Sequence, residues 1–148
     1  MWCWENMFQQ NWKPKPESMQ SELFNKNPIL KHSFAFALAI IEYCDVLQAE
    51  KHFVISNQLL KCGTSIGANA MEAQNAESKA DFIHKMKIAS KEAGETQYWL
   101  MLCSEVKNYP DSSHLTEKIN EINKILSKIL STAKRKSPFS YLLSFVLF

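Results

Sequence analysis

QLLKCGTSIGANAMEA, residues 58–73, decides how this chain folds. Gln58, Ser65, Asn69 and Glu72 follow one another at intervals of seven, four and three residues, which places them along one side of an α-helix. Leu59, Cys62, Ile66, Ala70 and Ala73 make a second, apolar side. The apolar side belongs in a core. The polar side must meet water, polar groups of another helix or a neighbouring subunit, because an unpaired carboxylate or amide buried in a core costs several kcal/mol. Gly63 and Gly67 lie inside the same helix, each about 1 kcal/mol worse than alanine there, and so mark close approach by another element.

Three further helices frame this one. Asn27 before Pro28 is an N-cap acceptor followed by a residue with no N–H to satisfy, and opens a helix over about 28–48. Ile29, Phe36, Ile40 and Leu47, with Leu30, Phe34, Ala37, Ile41 and Cys44, give it an apolar arc wide enough for a core and a second interface. The central helix then covers 54–75. Ser78 and Asp81 form a capping box for a third helix reaching about Asn108, where Tyr109-Pro110-Asp111 stops it. Its core seam is Phe82, Met86, Ala89, Ala93, Leu100 and Cys103, with Ala89, Ala93 and Gly94 small enough to admit a neighbouring backbone. A side next to that seam carries Lys85, Ile88, Glu92, Glu95 and Trp99. Glu92 and Glu95 are partners for the amides and hydroxyl of the central helix, and Lys61, Lys85 or Lys91 supplies the cation that Glu72 needs. The fourth helix, 113–135, repeats Leu115, Ile119, Ile122, Leu126, Ile129 and Ala133 in steps of four and three. Short connections make successive helices antiparallel, which predicts an all-α, up-down-up-down four-helix bundle.

The 148 residues suffice for one domain with a real core, and three glycines and five prolines favour long helices over strands and turns. Residues 1–26 are Trp-rich, broken by Pro14 and Pro16, and without periodicity, so they form an extension to a bundle at 27–136; the chain could start at Met1 or Met19. Residues 137–148 are an apolar tail too short for the roughly 20 residues of a membrane-spanning helix. No secretory signal opens the chain, and Cys3, Cys44, Cys62 and Cys103 lack CxxC spacing, which suits core thiols in a cytoplasmic protein.

Enzyme chemistry finds no foothold. A carboxylate-bridged metal pair in a bundle needs Glu-x-x-His on two helices, and Asp81-x-x-His84 is the one comparable pair inside a helix, with His32, His52 and His114 wrongly placed to complete it. Ser65 lies within a helix rather than at a strand-turn-helix elbow, and GTSIG lacks the spacing and terminal lysine of a phosphate loop. No catalytic residue, metal or cofactor is expected.

Residues 63–69, GTSIGAN, the following Glu72-Ala73, and 91–100, KEAGETQYWL, together resemble the four-helix-bundle proteins encoded by intervening sequences in bacterial 23S ribosomal RNA genes, over about residues 29–133. The resemblance implies a homopentamer, and kinship with accessory proteins of diversity-generating retroelements, which bind nucleic acid and a reverse transcriptase. The chain departs from the family at Lys61, where arginine is usual, and at Asn69-Ala70-Met71-Glu72; a lysine cannot make arginine's planar two-pronged contact.

Overall charge is near neutral, with 17 basic and 15 acidic residues, so any affinity for phosphate must be local. Lys124, Lys128 and Arg135 form a row on the fourth helix, continued by Lys134 and Lys136. Such cations also complement the negative end of a helix, and most lysine faces are simply solvated. Repetition around a ring would turn the row into a continuous positive surface for phosphates. The expected function is a non-enzymatic homo-oligomer that binds or chaperones RNA or DNA, with Gln58, Ser65, Asn69, Glu72, Glu92 and Glu95 fixing helix register and subunit geometry. The alternative is a scaffold for a protein partner such as a polymerase, without nucleic-acid contact.

Overall fold

The computed structural model describes residues 26–135. The Trp-rich extension, apart from Lys26, and the apolar tail, together with Lys136, lie outside the described residues. Four helices account for nearly all of the rest: α1 (Pro28–Ala49), α2 (Phe53–Gln74), α3 (Lys79–Glu105) and α4 (Ser113–Arg135). Neighbours in the bundle are α1 with α2, α2 with α3, α3 with α4, and α4 with α1, so α1 and α3 occupy opposite corners. Polar contacts record the alternating directions: Asn27 before α1 reaches Gln74 at the end of α2, Lys85 early in α3 reaches Glu72 late in α2, and Tyr43 late in α1 donates to the Pro110 carbonyl before α4 at 2.9 Å.

Pro28 occupies the first turn of α1, but Asn27 does not cap it; its side-chain amide donates to Gln74 Oε1 at 2.9 Å, tying the two helix ends together. Ser78 does cap α3, accepting from the Asp81 N–H at 3.1 Å. The Asp81 carboxylate reaches back to the Glu77 N–H rather than to Ser78, a box displaced by one residue. α3 ends at Glu105, three residues ahead of the expected stop. The backbone turns extended at Val106 there, before the Tyr109-Pro110 corner.

The α1–α2 connection closes with Lys51 at φ 65°, in the left-handed region. His52 N–H donates to the Leu47 carbonyl at 2.8 Å and Lys51 N–H to the Gln48 carbonyl at 2.9 Å, the double bond of a Schellman motif. A lysine takes the place that glycine usually fills, at a conformational cost of about 1–2 kcal/mol.

The core is a contiguous apolar column. Phe36, Ile40 and Leu47 of α1, Leu59 and Ile66 of α2, Met86 and Leu100 of α3, and Leu115, Ile119, Ile122 and Leu126 of α4 are fully buried. Gly63 lets α1 and α2 approach: a Cβ built there would lie 3.0 Å from Ile40 Cγ1 and Cγ2. Gly67 similarly faces Ser33, whereas among the described residues nothing lies within 4 Å of a Cβ at Gly94, so no close approach is seen there, contrary to expectation.

Cys44, Cys62 and Cys103 are buried thiols. Burial pushes all three upward in pKa, Cys44 to about 11. Because the native state holds this proton more tightly than the unfolded chain, the contribution is complete below the unfolded pKa of about 8.5 and is lost as pH rises towards 11. Thermal melting followed from pH 6 to 11 should therefore be flat to about pH 8 and fall above it. Up to roughly 3 kcal/mol of that fall belongs to Cys44, and the Cys44→Ala variant should show a shallower alkaline slope.

Candidate functional site

On α4 the residues Ile119, Ile122 and Leu126 enter the core, which turns the Lys124, Lys128 and Arg135 positions directly outward on the opposite side of the helix. All three are exposed, as is Lys134, which lies nearer to α3. Among the described residues none of these four cations pairs with a carboxylate. Glu117 heads the same outward row and Glu121 turns toward α1, where it meets His32 at 3.4 Å. The positive character is therefore concentrated in the C-terminal half of α4. The fold adds a cation that linear spacing could not reveal: Lys79, opening α3, lines the same groove as Lys128.

The polar row of α2 is largely satisfied within its own helix. Ser65 Oγ donates to the Lys61 carbonyl at 2.7 Å and Asn69 Nδ2 to the Ser65 carbonyl at 2.9 Å, so neither spends its donor on a neighbouring helix. Both remain half-buried, as do Gln58 and Glu92, while Glu72 and Glu95 are exposed. Glu72 does meet α3, through an ion pair to Lys85 at 2.5 Å, and this contact raises the lysine's pKa. Glu95 accepts from the Trp99 indole at 3.4 Å. The expected exchange of hydrogen bonds from Glu92 and Glu95 to the α2 amides and hydroxyl is absent among the described residues. Back-bonding to the carbonyl four residues earlier is local and displaces it.

Polar links between helices lie elsewhere, at positions that the periodicity did not single out. Ser56 Oγ donates to the Cys44 carbonyl at 3.2 Å and accepts from Gln48 Nε2 at 3.1 Å, joining α1 and α2. Gln97 joins α4 by donating to Asn120 and accepting from Asn123, each at 3.1 Å. An apolar strip in which one serine or amide sits a turn away from a mate on the next helix was the available signal.

Two of the exposed apolar groups lie along helix sides. On α1, Leu38 and Ile41 are 48% and 41% exposed, on the side that continues onto α2 through Ala68 and Met71. On α3, Tyr98, Met101 and Leu102 form a second patch with Val106. Since α1 and α3 are diagonal, these two surfaces point away from each other. Among the described residues no three His, Cys, Asp or Glu side chains converge as a metal-binding group, and no helix is long and apolar enough to cross a membrane.

Sequence and structure comparisons agree on where this arrangement occurs. The profile described as 23S rRNA-intervening sequence protein matches residues 25–128. A crystal structure from Bacteroides thetaiotaomicron, described as a protein of unknown function from the S23 ribosomal protein family, is 42% identical with a TM-score of 0.65. The match covers 69% of this chain and 97% of that one. No curated protein matches the chain.

Proposed function

Because the chain belongs to the 23S rRNA-intervening sequence protein family, we propose that it is a non-enzymatic bundle that closes into a homo-oligomeric ring, a pentamer, and presents the α4 cations to RNA or DNA in the cytoplasm. The observation that carries the nucleic-acid reading is the exposed set Lys124, Lys128, Lys134 and Arg135, which pairs with no carboxylate among the described residues and is joined across the fold by Lys79. Exposed cations on a helix face contact phosphates without reading bases, so the affinity should depend on salt far more than on sequence. Ring closure is supported by the two apolar surfaces. Different patches on opposite sides of a protomer favour head-to-tail contacts, which generate rings, over the self-complementary contact of a two-fold dimer. The six polar-row residues would then contribute at subunit contacts, with Gln58 and Glu92 half-buried in the protomer.

The test is a gel shift of the full chain on a 30-nucleotide RNA and on a DNA duplex, at low and at physiological salt. Binding in the micromolar range at low salt should weaken by at least tenfold as salt rises. Reversing Lys124, Lys128 and Arg135 to glutamate together should remove it while leaving the helical content unchanged. If the wild-type chain binds neither probe at low salt, or the triple reversal leaves binding intact, the α4 surface is not a phosphate site. The uncovered Tyr98, Met101 and Leu102 patch would then favour a scaffold for another protein.

A further inference from the structure

The start of α1 and the end of α4 leave an apolar groove of about 570 Å³ between them, walled by Pro28 and Ile29, Phe82 at the start of α3, and Ile125, Ile129 and Ala133. Lys79 and Lys128 stand at its rim. Ile29 is fully buried, but Phe82, Ile125 and Ile129 are only partly covered, so apolar surface at this end faces solvent. α4 runs to Arg135, only two residues beyond the groove wall at Ala133. Pro138 follows, and a proline disfavours helix in the residue before it, so a change of chain direction is favoured right where the groove ends. After it comes FSYLLSFVLF, residues 139–148, with two serines among eight apolar residues and no charge.

We propose that residues 139–148 of the same chain dock in this groove. The length fits. The wall from Ile125 to Ala133 is roughly 12 Å long, and ten residues span about 15 Å as a helix or about 33 Å extended. The pattern fits as well, since Ser140 and Ser144 fall one helical turn apart and would share a water-facing side, leaving Leu142, Phe145 and Val146 for the groove. An uncharged occupant also leaves the rim lysines free to meet phosphate. The apolar residues of the Trp-rich segment are interspersed with polar ones and prolines and form no comparable run.

The experiment places aspartate at Leu142, Phe145 and Val146 together in the full chain. A seated tail predicts that uncovering the groove raises the fluorescence of the dye ANS severalfold. It also predicts that amide exchange in residues 125–133 accelerates at least tenfold, with helical content retained. A tail exposed to solvent predicts the opposite sign, because the substitution would remove a dye-binding segment; that result, or no change, overturns the proposal. The reciprocal variant Ile129→Asp should accelerate exchange in residues 139–148 by a similar factor. Three other outcomes also overturn it. Exchange in 125–133 could respond instead to Trp2, Trp4 and Trp12 substitution, protection could vanish on dilution to monomer because another copy supplies the tail, or the full chain could float with phosphatidylglycerol vesicles and lose that ability with the aspartates.

Discussion

Gly63→Leu should lower folding stability by about 2 kcal/mol, seen as a drop of about 1 M in the urea midpoint, whereas Gly94→Leu should leave it unchanged or raise it slightly. The two glycines sit on different helices and face different surroundings. At Gly63 a Cβ alone already lies 3.0 Å from two carbons of Ile40, a residue fully buried in the α1–α2 contact, and the remaining leucine atoms would have to push α1 away. Overpacking of this kind ordinarily costs about 1–3 kcal/mol, and here it exceeds the roughly 1 kcal/mol that any larger residue recovers by relieving glycine in a helix. At Gly94 nothing among the described residues lies within 4 Å, so only the helix gain remains. Combining Gly63→Leu with Ile40→Ala should restore part of the loss, because the truncation clears the clashing atoms. Equal midpoints for Gly63→Leu and wild type would mean that the helices are not held at that distance. A loss at Gly94→Leu accompanied by a lower particle mass would instead place a second subunit's backbone there.

The other large effect concerns assembly. Leu38→Asp with Ile41→Asp should reduce the mass measured by light scattering from that of a ring to the 17.1 kDa protomer, with little change in circular dichroism. Both residues lie on the outward side of α1, 48% and 41% exposed, and contribute nothing to the central column of Phe36, Ile40 and Leu47. Carboxylates there cost little in a solvated protomer, yet burying two of them unpaired in a subunit contact would weaken it by at least a hundredfold. A wild-type chain that is monomeric, or a double variant that keeps its oligomeric mass, would remove the ring from the proposed function. The α4 row could still be tested by its own salt dependence.

Much of this fold could be read from residue spacing. Steps of three and four along Leu115, Ile119, Ile122 and Leu126 leave no architecture but a helix with one buried side, and α4 begins and ends where that pattern does. Leu59, Cys62, Ile66, Ala70 and Ala73 are buried as the apolar side of α2 requires. Gly63 was identifiable as a close approach because its helix penalty demands a compensating contact. Gly94 misleads by the same logic. A glycine shows that a side chain is missing and cannot show whether anything stands opposite.

The candidate interface was legible only where one helix carries it. Lys124, Lys128 and Arg135 share a face by periodicity alone, but Lys79 joins them because α3 starts beside the end of α4. Of the partners expected for the polar row of α2, Lys85 does meet Glu72, but the amide and hydroxyl groups do not reach Glu92 or Glu95. A serine or asparagine in a helix can bond to its own backbone four residues back, and sequence does not distinguish that choice from a bond to a neighbour. Lys51 in a left-handed turn was likewise invisible, since local preference there favours glycine and the closing bonds to Leu47 and Gln48 override it.

The amino-acid order by itself determined the helices, their buried sides and the family, because these depend on periodicity and local preference over a few turns of chain. Which polar groups pair, which glycine is crowded, and which apolar rows stay uncovered on opposite corners were decided only by tertiary structure. Each of those depends on the distance and rotation between two helices, which no single helix encodes.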